Sequence, residues 1–205
     1  MKFNKEDIIR VAFNEFMING YSCPIIEILH KKLGMSKGAL YRHFKNKNDL
    51  FIKVIDQYFF NVFERIIYKK NIDITALGLI NQMHRRQILI QALLYRYGNH
   101  AISYLNFYNL LIQAVKYYPR FVARYNKIQE HIETTWKIAF KNSINQKEIR
   151  KNIDLTIMSK LFTQICLFLD SSARLSPSSS FFPNTKDYVE EQRKTLLYLY
   201  DLLKK

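Results

Sequence analysis

The sequence predicts an all-α protein in two parts, and three observations carry that expectation. Apolar residues recur at three and four positions along most of the 205-residue chain, the period of helices with one buried face. Glycine and proline number only 5 and 4, too few for the many tight turns of an all-β fold. Near the N-terminus, two short apolar-faced segments flank a glycine turn, the arrangement of a helix-turn-helix. The expected architecture is an N-terminal three-helix helix-turn-helix domain over residues 1–47, joined by a long helix to a larger C-terminal helical domain over residues 48–205.

Each element has a local reason. Ile8, Ile9, Ala12, Phe13, Phe16 and Met17 form one stripe. The first helix therefore opens after Asn4, an N-cap with Asp7 three residues on, and stops at Gly20. A second starts at Pro24, which suits the first helical position because it has no amide hydrogen to leave unpaired. Ile25, Ile26, Leu29 and Leu33 give it an apolar side, and Gly34 ends it. Ser36 caps a third helix running to about Phe44. A fourth starts near Asn46 to Asn48. Its apolar residues come in pairs, Leu50/Phe51, Val54/Ile55, Tyr58/Phe59, Val62/Phe63 and Ile66/Ile67, which predicts one long helix with a wide buried face. Further helices are expected over 73–96, 100–117, 119–142, 154–174 and 186–203. Pro119 fits a helix start, and Ser176-Pro177-Ser178-Ser179-Ser180 with Pro183 reads as a loop.

Composition narrows the function. Lys and Arg number 32 against 17 Asp and Glu, a formal net charge of +15. Such a field attracts polyanions: nucleic acid, anionic lipid or acidic ligands. Residues 1–53 hold +5 of it and the remainder +10, so the larger part is basic too. The chain lacks a run of about 18 apolar residues and an apolar leader, so the expectation is a cytoplasmic protein with no membrane association. Cys23 and Cys166 fit a reducing compartment better than a disulfide framework. Walker, dinucleotide, Gly-x-Ser-x-Gly and His-Glu-x-x-His motifs are missing. The histidines at 30, 43, 84, 100 and 131 are too scattered to suggest a metal set. No catalysis, cofactor or metal is expected, and His30 reads as a surface or packing histidine.

In a helix-turn-helix the second helix lays its N-terminal residues in the major groove. Here that helix begins Ser36-Lys37-Gly38-Ala39. Small residues let a helix end approach base edges closely, and Lys37 can reach guanine or phosphate. Tyr41, Arg42 and His43 follow, side chains that contact phosphate oxygens. Lys45 and Lys47 then precede a helix whose amide-rich N-terminus is itself an anion site. Leu40 and Phe44 read as core, and Lys37, Tyr41 and Lys47 as DNA contacts.

The run Gly34-Met35-Ser36-Lys37-Gly38-Ala39-Leu40-Tyr41-Arg42-His43-Phe44-Lys45-Asn46-Lys47-Asn48-Asp49-Leu50-Phe51 resembles the TetR family of bacterial transcriptional regulators. Ala12, Phe16 and Gly20-Tyr21 upstream agree, and the resemblance spans roughly residues 5–55. It implies a DNA-binding regulator, normally a repressor, that reads a palindromic operator on double-stranded DNA as a homodimer. It further implies dimerisation through the last two helices and release by a small-molecule effector held in the larger domain. It places Lys37, Gly38, Ala39, Tyr41, Arg42 and His43 against DNA and Lys47 on a phosphate. Pro24-Ile25 stands where similar proteins carry a hydroxyl, leaving Ser22 or Tyr21 to supply that phosphate contact. The alternative is a basic helical protein that binds membrane surfaces, or DNA without sequence preference, under no effector control.

Aromatic residues make up 15% of the chain, with 14 Tyr and 15 Phe. Most are expected in the core, yet tyrosine and tryptophan bring polar tips that need partners. Clustered amphipathic aromatics can line a small-molecule pocket. The candidate ligand residues are Tyr104, Phe107, Tyr108, Trp136, Phe140 and Phe162, for a lipophilic or aromatic effector. In the last two helices, Met158, Leu161, Phe162, Ile165 and Leu169, then Val189, Leu196, Leu197, Tyr200 and Leu203, form wide apolar stripes. Such faces need cover from the bundle or from a second subunit.

Overall fold

The computed structural model describes residues 4–67, 73–97, 104–167 and 185–204, leaving aside the side chains of 66, 67, 91, 93–97, 104, 105, 108 and 185–188. The expected loop at 176–183 lies outside the described residues. Among the described residues every regular element is a helix.

The N-terminal helices begin where their caps dictate. α1 (Lys5–Asn19) opens on a capping box, with Asn4 accepting from the Asp7 amide at 2.8 Å and Asp7 accepting from the Asn4 amide at 3.3 Å. Two amides that a helix start leaves open are thereby satisfied. Gly20 closes the helix at φ 68° and ψ 180°, a region open essentially to glycine alone. α2 (Ile25–Leu33) starts one residue later than expected, because Pro24 sits at the cap with ψ 65°, outside helical geometry. α3 (Lys37–Tyr41) is capped by Ser36, which accepts from the Ala39 amide at 3.2 Å. It is shorter than expected: the His43 amide turns to the Leu40 carbonyl at 2.9 Å, a three-residue spacing that tightens and ends the helix. α4 (Lys47–Ile55) is capped by Asn46, which accepts from the Asp49 amide at 2.9 Å.

The single long helix expected through Ile67 is interrupted. Asp56–Phe60 form a π turn before α5 (Asn61–Ile67). The cause is the four-residue spacing of the apolar pairs. Four residues advance an α-helix by about 400°, so each pair drifts about 40° around the axis. The wider π turn takes up that drift and keeps Tyr58, Phe59 and Phe60 buried.

The chain divides into two compact units, one of Met1–Arg65 with Ala92–Arg124, the other of Ile66–Gln91 with Tyr125–Lys205. In the first, α1 packs on α2, α4 and α7 (Tyr104–Tyr117), and α7 packs on α4. Phe13 stacks on Tyr58 at 4.1 Å, and Phe16 meets Phe51 edge-on at 5.2 Å. This unit takes in α4 and α7 beside residues 1–47 because all share that aromatic core. Arg124, near the start of α8 (Phe121–Asn145), donates to both oxygens of Glu64 at 2.9 and 3.1 Å and to Asp56 at 2.6 Å. It also lies 4.1 Å over the Phe60 ring, so one guanidinium grips both ends of the π turn.

The second unit holds residues 76–91 of α6 (Ala76–Tyr97), residues 125–145 of α8, α9 (Leu155–Leu167) and α10 (Thr185–Asp201). Trp136, Phe140 and Phe162 form its aromatic centre, with ring centroids 4.9–5.8 Å apart. Glu148 accepts from the Ser143 hydroxyl at 2.9 Å and from Tyr200 at 3.2 Å. Burial, with that carboxylate alongside, pushes the Tyr200 hydroxyl up to about 12. In α9, α10 and the turn after it, Phe162, Val189, Leu196, Tyr200 and Leu203 are buried, while Ile157, Leu161, Tyr198 and Leu202 stay exposed.

Candidate nucleic-acid interface

The interface is built from α2, a three-residue turn and α3. Gly34 adopts φ 63° and ψ 19°. A Cβ there would meet nothing within 4 Å, so the left-handed backbone, and not space, requires glycine. His30 Nδ1 lies 2.6 Å from the Met35 carbonyl. A carbonyl only accepts, so this ring nitrogen carries the proton, and the exposed histidine pins the turn. Leu29 and Leu33 of α2, with Leu40 and Phe44, are buried. They fix which side of α3 faces in.

The opposite side is polar and open. Lys37, Gly38, Tyr41 and Arg42 are exposed, while Ala39, His43 and Lys47 are half-buried. Tyr41 keeps 51% of its surface in solvent. Gly38 is more telling. Its φ is not positive, and a Cβ would meet nothing within 4 Å. Glycine in a helix costs about 1 kcal/mol against alanine, and neither backbone nor packing explains it here.

Two of the lysines are already engaged. Lys37 Nζ donates to Glu27 Oε1 of α2 at 2.7 Å, and both side chains are exposed. The partner holds the Glu27 carboxyl below its ordinary range and the Lys37 ammonium above its own. Exposed pairs of this kind are weak, so Lys37 can leave it for a base edge or phosphate. Lys47 Nζ donates to the Cys23 carbonyl at 2.7 Å and sits 4.8 Å from the Tyr21 ring centroid. Tyr21 stacks on Tyr117 of α7 at 3.7 Å, and its amide donates to Gln113 Oε1 at 2.5 Å. Lys47 is thus a brace between α4 and the start of α2, with ammonium protons left for an anion. Sequence patterning gave no signal for the Glu27, His30 or Cys23 contacts, because none follows a helical period.

The ligand candidates separate. Trp136, Phe140 and Phe162 come together in the second unit. Phe107 belongs to the first unit, 6.1 Å from Phe59. The side chains of Tyr104 and Tyr108 lie outside the described residues. Among the described residues no helix is long and apolar enough to cross a membrane.

Residues 8–54 match the family model of the bacterial regulatory proteins, tetR family. Over nearly its whole length the chain is similar to several solved structures. One is a Saccharomonospora viridis protein in complex with choline, with a TM-score of 0.65 and 14% identity over 96% of this chain and 95% of that one. A transcriptional regulator (TerR/AcrR family) from Aquifex aeolicus VF5 gives 0.60 and 17% identity over 95% and 98%. A tetR-family regulatory protein from Rhodococcus RHA1 gives 0.61 and 16% over 97% and 98%. No curated protein sequence matches the chain.

Proposed function

We propose that this chain, a TetR-family transcriptional regulator by its N-terminal domain and fold, is a repressor that binds a palindromic operator as a homodimer and leaves it when a small molecule binds. The observation that carries the proposal is the exposed face Lys37-Gly38-Tyr41-Arg42, whose glycine has no structural reason inside the protein. Gly38 and Ala39 let the helix start come close to base edges, and Lys37 supplies a donor for guanine. Tyr41, Arg42, His43 and Lys47 supply phosphate contacts that set register.

Dimerisation through the last two helices is supported by their outer faces. Ile157 and Leu161 of α9, and Tyr198 of α10 with Leu202 just beyond its end, are exposed apolar pairs four residues apart. A twofold dimer presents two reading helices to two half-sites, about 34–36 Å apart. An effector is supported by the aromatic cluster of the second unit and by the choline held in the Saccharomonospora viridis protein. Within the first unit, Gln113 and Tyr117 of α7 hold the backbone and ring of Tyr21. A shift of α7 would therefore reach Lys47 through one aromatic stack. No step in this function calls for catalysis.

Gel-shift titration on an operator selected from random duplex tests the proposal. Tyr41→Ala should weaken binding at least tenfold while melting as the parent does, and a Tyr41→Ala protein with parental affinity would remove α3 as the reading element.

A further inference from the structure

Lys37 does not face its surroundings alone. Its Nζ donates to Glu27 Oε1 at 2.7 Å, joining the first residue of α3 to the first turn of α2. Both side chains stay about half exposed, so the couple lies open to whatever meets the start of α3. Lys31, one turn further along α2, adds to the positive field around the carboxylate. At such exposure the pair contributes little to stability. Its effect is to fix two groups of opposite hydrogen-bonding character side by side. The ammonium has three N–H donors and spends one on Glu27, and the carboxylate is an acceptor with lone pairs to spare.

A couple of this kind suits a base pair better than a phosphate. A carboxylate 2.7 Å from the ammonium offsets its charge and repels a phosphate that approaches it. In a G·C pair the guanine O6 accepts and the cytosine N4 donates in the major groove. Those two atoms are hydrogen-bonded to each other and so lie about 2.9 Å apart, close to the 2.7 Å between Nζ and Oε1. The lysine can donate to O6 and the neighbouring N7 while the glutamate accepts from N4, and the couple need not separate. T·A in the same orientation offers O4 and N6, but the thymine methyl stands where guanine offers N7. A·T and C·G reverse the two groups, setting the ammonium against a donor and the carboxylate against an acceptor.

We propose that Glu27 is a base-reading residue of the interface, and that Lys37 and Glu27 together read one G·C pair in each half-site, the lysine on guanine and the glutamate on cytosine. The inference rests on the operator reading by α3 proposed above and names one base pair that is read. α2 then contributes to specificity as well as to the support of α3. Glu27 also keeps Lys37 from binding any phosphate it meets, which favours the operator over other DNA.

The test is selection of binding sites from random duplex by the full chain as parent, Glu27→Ala, Glu27→Gln and Lys37→Met, followed by anisotropy titration on operators that differ at single base pairs. Both residues are exposed, so all four proteins should melt alike. The parent should prefer one G·C pair per half-site by about fivefold to a hundredfold over the other pairs at that position, the range for a specific base contact. Glu27→Ala and Lys37→Met should both lose that preference at the same base pair and keep their preferences at the others. Glu27→Gln, whose amide matches adenine, should shift that position toward T·A. On random duplex Glu27→Ala should bind tighter and with a steeper salt slope, because the lysine is released to phosphate. A Glu27→Ala protein with every preference of the parent overturns the proposal. So does one weakened equally on all operators, or one altered at a different base pair from Lys37→Met. An enriched operator indifferent to Glu27 thus removes this inference alone, whereas a parent that enriches no sequence removes the operator reading and the inference with it.

Discussion

Replacing Gly38 by alanine should stabilise the protein and impair it. The backbone there is not in the left-handed region, and the new methyl would meet nothing within 4 Å. Alanine therefore gains through the reduced freedom of the unfolded chain, about 0.4–1 kcal/mol. For a domain of this size that raises Tm by roughly 1–4 °C. On DNA the same methyl occupies the gap between helix start and base edges. Disturbing a base contact costs about 1–3 kcal/mol, or roughly fivefold to a hundredfold in affinity for the operator. Binding to random duplex, governed by charge, should change little. Calorimetry gives Tm, and fluorescence anisotropy on operator and random duplex gives both affinities. A Gly38→Ala protein that binds its operator like the parent would refute the close-approach argument, and one that melts lower would refute the packing argument.

Gly20 should behave in the opposite way. At φ 68° and ψ 180°, with Gln113 Nε2 only 2.9 Å from an added Cβ, Gly20→Ala should cost about 1–3 kcal/mol; an unchanged melting curve would show that neither strain nor clash is real. By NMR titration the Glu27 carboxyl should ionise below its ordinary range and return to that range in Lys37→Met. Because the folded value is depressed, the pair's contribution is present above the ordinary carboxylate range and is lost as pH falls through the depressed value. A Glu27 titration indifferent to Lys37→Met would mean the pair does not form. Burial pushes the Cys166 thiol up to about 12 and raises Cys23, so at pH 8 both should stay protonated and resist a disulfide reagent until the protein unfolds; a rapid burst from either thiol would contradict this.

Local signals were the most legible in the sequence. The Asn4–Asp7 capping box, the Ser36 and Asn46 caps, and the glycines at 20 and 34 each act within four residues, so the pattern of types reveals the geometry. The long paired run after Asn46 was legible as buried and helical but not as interrupted, since its four-residue drift needs a core to act against. α3 ended early because the chain tightened at His43, a choice no propensity dictates. Tertiary pairings were invisible. Lys37 with Glu27 and Lys47 with the Cys23 carbonyl follow from how helices meet. The aromatic stripes containing Phe107 and Trp136 look alike in periodicity, yet they fall in different units.

The most direct measurement is selection of binding sites from random duplex DNA by the full chain at two salt concentrations. A face built on Lys37, Gly38 and Tyr41 predicts one enriched, twofold-symmetric sequence whose half-sites lie about one helical turn apart, retained at the higher salt. Enrichment of no sequence, with affinity that simply collapses as salt rises, would mean that the +15 charge alone holds DNA and that α3 reads nothing.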